Sequence, residues 1–120
     1  MNTHTTPPSS FLDLSGAKEF AMDDVQMREL MATFLESLTQ EIATIQAGLG
    51  QNEAVKVEHS LHALKGFMPL FAHPVLAQAV TELYQNSRHQ PLDTTRGIFE
   101  SILPHLEALL AEVRDWSSRL

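Results

Sequence analysis

Apolar residues recur at helical spacing in four separate runs of this chain. The longest is Met27, Leu30, Met31, Phe34, Leu38, Ile42, Ile45 and Leu49, one apolar face of a long helix. Asp23 or Asp24 is suited to cap its start, because a short carboxylate can accept from the free amides of a first turn. Gly48 and Gly50 bracket its end, with Gly50 expected as a left-handed cap. From about Gln51 a second run follows, with Ala54, Val57, Leu61, Leu64 and Met68 at steps of three, four, three and four. Pro69 lacks an amide hydrogen and its ring opposes the carbonyl of Lys65, which predicts a kink or stop near Met68. His73-Pro74 reads as the next helix start, and Val75, Leu76, Ala79, Val80, Leu83 and Tyr84 give that helix its apolar side. After a polar connection over Asn86 to Leu92, Asp93, Thr94 or Thr95 can cap the last helix. Its stripe is Phe99, Ile102, Leu103, Leu106, Leu109, Leu110, Val113 and Trp116, and Pro104 inside it predicts a kink.

Ahead of these runs, residues 1–10 are polar and rich in Thr, Ser and Pro, the composition of a disordered tail. Phe11, Leu12, Leu14 and Phe20 then surround Ser15, which is expected to cap a short helix reaching about Ala21 or Met22. Strand-like alternation, hairpin signals and internal repeats are missing from the sequence. Short turns make consecutive helices antiparallel neighbours. The expected fold is therefore all-α, an antiparallel up-down four-helix bundle with a short additional N-terminal helix, occupying residues 11–120.

Composition narrows the function. With 120 residues there is room for one domain, and a net charge of −7 with a pI near 5.2 offers no general basic surface to a nucleic acid. The chain has no cysteine, which excludes disulfides and thiolate metal sites. No apolar run approaches the ~18 residues of a membrane span, so a cytoplasmic protein that does not enter a membrane is expected. Monomer is the default state, and Met1 with its polar tail favours a freestanding protein. None of the glycines, Gly16, Gly48, Gly50, Gly66 and Gly97, belongs to a phosphate-cradling loop, and the only adjacent acid pair is Asp23-Asp24. The chain carries no nucleotide site and cannot phosphorylate itself.

One residue stands off the core stripe of the second helix. At about 100° per residue, His62 lies well away from Val57, Leu61, Leu64 and Met68, so its ring faces solvent. Side chains on a helix lean toward its N-terminus, which places the residue four positions on partly over it; here that residue is Gly66. A mid-helix glycine costs roughly 1 kcal/mol relative to alanine, so its presence suggests that access to the imidazole outweighs local helix stability. Lys65 supplies a cation on the same side. A neutral ring nitrogen able to act as nucleophile, with open space above it and a compensating charge, fits reversible phosphorylation of the ring.

His62-x-Leu64-Lys65-Gly66, followed by Phe71, Ala72, Leu76, Val80 and Leu83, resembles the signature of the histidine-containing phosphotransfer (HPt) family. The chain departs from that family's pattern at Ala72, where glycine is usual, and at Phe67, Met68 and Pro69. The resemblance implies a bundle that accepts a phosphoryl group from a receiver-domain aspartate and passes it to another receiver. It makes His62 the phospho-acceptor, Lys65 its charge partner and Gly66 the access residue. Val55, Glu58, His59, Phe67, Pro69, Leu70 and Phe71 are then the expected partner-binding surface. The implied partners are response-regulator receiver domains and a hybrid sensor kinase. The protein is a carrier rather than an enzyme and holds no cofactor or metal of its own, magnesium being expected on the partner receiver.

Two other readings weigh against this one. His59 and His62, three residues apart with Glu58 beside them, could bind a divalent metal but offer no third fixed ligand. A helical adaptor or inhibitor could dock receiver or kinase domains through Phe67, Met68, Leu70 and Phe71 without being phosphorylated, because a helix cannot bury four such neighbours on one side. His4, His89 and His105 read as ordinary surface histidines.

Overall fold

Asp23 fixes where the first helix begins: its carboxylate accepts from the amide of Gln26 at 2.8 Å. The structure, a computed structural model, describes residues 10–119. Apart from Ser10, the tail expected over residues 1–10 lies outside the described residues. Four helices follow: α1 (Asp24–Gly50), α2 (Ala54–Phe71), α3 (Pro74–His89) and α4 (Leu92–Ser118). Their main contacts run around a ring, α1 with α2, α2 with α3, α3 with α4 and α4 with α1. Gly48 near the end of α1 faces Val57 near the start of α2, while Phe34 stacks on Phe71 at the far end, so this pair is antiparallel. The all-α four-helix bundle is thus the observed fold.

The stripes meet on the inside. Met31, Phe34, Leu38, Ile45, Val57, Leu61, Leu64, Met68, Val80, Leu83, Phe99, Leu106, Leu109 and Val113 are buried in one core. Ala54 and Val75, read as core positions, are instead exposed. Each lies in the first turn of its helix, where the face has not yet come beneath a neighbour.

Several local expectations change in the tertiary context. The short leading helix is a single 3-10 turn, Ala17–Glu19, and Ser15 does not cap it. The Ser15 amide instead donates to Asp13 Oδ1 at 2.9 Å, and the Ser15 hydroxyl and amide together hold the Asp13 carboxyl below its ordinary pKa. Gly50 is not the left-handed residue: it stays helical, and Asn52 carries the positive φ of 56°. The space near that turn decides Gly48, because a Cβ there stands 2.8 Å from Val57 Cγ2. The cap position of α4 is Pro91, two residues before the first of its expected caps, and carries no side-chain cap. Asp93 instead pairs with Arg96, whose guanidinium also donates to the Leu49 carbonyl at 2.7 Å and to Asn52 Oδ1 at 2.9 Å. That arginine adds a second donor to the Leu49 carbonyl, which also accepts from the Asn52 amide at 3.4 Å, and so ties the end of α1 to α4.

Neither internal proline ends its helix. Pro69 falls in the last turn of α2, where a missing amide removes one bond only, and the helix runs on to Phe71. The chain ahead of the bundle secures that end: the Asp13 amide donates to the Phe71 carbonyl at 2.8 Å and the His73 amide to the Phe11 carbonyl at 2.7 Å. Glu112 of α4 holds the same strap, accepting from the Ser10 hydroxyl and from the amides of Phe11 at 2.8 Å and Leu12 at 3.2 Å. Pro104 lies within an unbroken α4.

Candidate functional site: an exposed histidine on the second helix

Burial of Val57, Leu61, Leu64 and Met68 sets the rotation of α2 and thereby turns His62 outward. Its imidazole is exposed, and among the described residues no group hydrogen-bonds it. Along the same outward face lie Val55, Glu58, His59, Gly66 and Pro69, at helical spacing on either side of the ring. Val55 is 68% exposed and His59 and Pro69 are exposed, whereas Glu58 and Lys65 are half-buried.

Gly66 has the room that the sequence suggested. A Cβ built there meets nothing within 4 Å, so no neighbouring helix demands a glycine at this point. Gly48 differs, since its hydrogen accommodates Val57. What remains for Gly66 is the open space above the preceding turn.

The expected docking residues divide. Phe71 is not surface: it is 4% exposed and its ring stacks on Phe34 with centroids 4.1 Å apart. Met68, offered for the adaptor surface, is 0% exposed. Phe67 is half-buried with its ring edge-on to Phe34 at 5.6 Å, and Leu70 is half-buried against the core. Because the helix continues through Pro69 rather than breaking there, Met68 and Phe71 keep the core phase of Leu61 and Leu64. The apolar excess of this stretch is largely inside.

Two site residues escaped the sequence reading. Tyr84 of α3, taken as part of an apolar stripe, is half-buried with its ring 5.1 Å from that of His62 at an interplanar angle of 46°. Lys65 Nζ stands 5.3 Å from the Tyr84 ring centre and the Arg88 guanidinium 5.9 Å. The four-residue spacing of Tyr84 and Arg88 was visible; their nearness to His62 depends on how α3 lies against α2. Away from this site, Phe20, Met22 and Val25 around the start of α1 are exposed, Met22 to 88%. Among the described residues no three or more His, Cys, Asp or Glu side chains come together to hold a metal.

The His62 ring thus stands exposed and unbonded on α2, with Lys65 and Arg88 gathered at the neighbouring Tyr84 ring. The family model described as Hpt domain matches residues 29–116, and the chain belongs to that family. Hpt domains are phosphocarrier modules with a phosphotransfer role in two-component signalling and are not catalytic enzymes. Comparison with curated proteins and with solved structures returned no match. The strap from Ser10 to Leu14 and the first turn of α1 lie ahead of the matched region.

Proposed function

We propose that this chain is a histidine phosphotransfer protein of a two-component phosphorelay, taking a phosphoryl group on His62 from a receiver-domain aspartate and delivering it to a second receiver. The observation that carries the reading is the exposed His62 ring followed, four residues on, by a glycine with free space around it. In transfer the acyl-phosphate P–O bond breaks as a ring-nitrogen–phosphorus bond forms in line with it. The aspartate carboxylate departs with the electron pair, and the ring's single N–H proton, on the nitrogen that did not attack, is released to solvent; delivery runs the steps backwards. Most of the catalytic work in such a displacement is alignment and charge stabilisation. The receiver supplies magnesium and the acyl phosphate, while this chain supplies a held nucleophile and the Lys65 cation.

The partners follow from that division: receiver domains, with the donor one carried on a hybrid sensor kinase. Val55, Glu58, His59, Phe67, Pro69 and Leu70 form the contact surface around the ring. Among the described residues no helix is long and apolar enough to cross a membrane. Residues 11–120 act as one carrier unit, with a cytoplasmic monomer as the working form.

Incubation with phosphorylated receivers tests this. A base-sensitive label that leaves the receiver, appears on this chain and is lost with His62→Gln is the expected result. Equal receiver binding by wild type and His62→Gln, with no label ever transferred, identifies a non-catalytic adaptor instead.

A further inference from the structure

Among the described residues the cations of this acidic chain are unevenly used. Of eight lysines and arginines, Lys56, Arg96 and Arg119 sit in ion pairs; of the five that pair with no carboxylate, Lys65 and Arg88 lie instead against an aromatic ring. Both converge on the Tyr84 ring, one from α2 and one from α3, at 5.3 Å and 5.9 Å from its centre. These distances fall within the range in which an aromatic quadrupole attracts a cation. The third group against that ring is the His62 imidazole, at 5.1 Å. Tyr84 accepts no hydrogen bond at its hydroxyl among the described residues, so the contacts rest on the ring.

We infer that Tyr84 is a positioning residue of the phospho-acceptor site: its ring gathers Lys65 and Arg88 beside His62, giving the phosphoryl group two cations held in advance. This rests on the carrier reading above. Lysine and arginine side chains otherwise lose rotamer freedom when they clamp an anion, and a ring that already confines them reduces that loss. The ring is also a weak competitor. A phosphoryl dianion on His62 binds either cation more strongly than a π face does, so both can pass to it over a short distance. Arg88 adds a planar fork able to meet two phosphoryl oxygens, which Lys65 alone cannot do. Glu58 is the acidic residue one helical turn before His62, and the paired cations offset its field where the anion arrives.

Phosphoramidate supplies a test free of any partner surface. Its N–P bond breaks as the His62 N–P bond forms, ammonia leaving with the electron pair and a proton, and phosphorus NMR follows the product with His62→Gln as the control for other histidines. Tyr84→Leu keeps apolar bulk but removes the π face; it is expected to load about five- to tenfold more slowly, and Tyr84→Phe to restore the rate. Arg88→Gln, at an exposed position that cannot disturb the core, is expected to slow loading about threefold. In proton spectra, the Lys65 Hε and Arg88 Hδ signals should show upfield ring-current shifts in wild type and Tyr84→Phe, lost in Tyr84→Leu. Wild-type loading by folded Tyr84→Leu or by Arg88→Gln, or absence of the ring-current shifts in wild type, overturns the inference. Failure of wild-type His62 to take phosphoryl from either phosphoramidate or a receiver overturns the carrier reading and this role of Tyr84 together, and the ring-current shifts then report separately whether the cluster forms.

Discussion

Two helical glycines in one small bundle should respond differently to alanine, and only Gly66 should gain stability. At Gly66 the added methyl meets nothing within 4 Å, so Gly66→Ala gains the helix-propensity difference of about 1 kcal/mol with nothing to offset it. For a domain of this size that is a rise in Tm of about 4 °C. At Gly48 the same methyl stands 2.8 Å from Val57 Cγ2, a side chain packed in the core, and overpacking there costs about 1–3 kcal/mol. The propensity gain is cancelled or exceeded, leaving Gly48→Ala neutral to about 2 kcal/mol less stable. Function separates the next variant. Gly66→Leu keeps the helix, but its side chain leans back over the turn that bears His62 and obstructs in-line approach; transfer from a phosphorylated receiver should fall ten- to a hundredfold. Urea and thermal unfolding followed by circular dichroism, with label transfer on the same samples, measure all three. Destabilisation by Gly66→Ala means that backbone or packing requires this glycine, and wild-type transfer by folded Gly66→Leu removes access as its purpose.

Lys65→Ala should lower the transfer rate or the lifetime of the phospho-form about two- to fivefold, as expected for one partly exposed cation; identical kinetics make the charge incidental. Leu61→Asp places a carboxylate at a position 0% exposed and should cost at least about 3 kcal/mol, abolishing the cooperative unfolding transition; a normal melt contradicts the assigned core face. Glu112→Ala removes the acceptor for the Phe11 and Leu12 amides and should lower stability by about 1–3 kcal/mol, while speeding protease cleavage near Phe11. An unchanged digestion pattern shows that the backbone bonds to Phe71 and His73 suffice to hold the strap.

Much of this protein is readable from one strand of text, because an α-helix places residues three and four apart on one face whatever surrounds it. That periodicity determined the four helices, the rotation of α2 and the outward face of His62. It also placed Lys65 and Gly66 beside the ring, and the local chemistry of Asp23 and of His73-Pro74 set two helix starts, the His73 side chain accepting from the Val75 amide. The contacts between elements were not readable in this way. Pro69 carries a local stop signal, yet the end of α2 is bonded to a strap far away in sequence, so the helix continues and Phe71 is drawn into the core rather than the docking face. Tyr84 fits an apolar stripe equally well as a core residue or as a ring beside His62. Which of these it becomes depends on the register of α3 against α2, set by every side chain in their shared interface at once, and no repeat within a single helix specifies it.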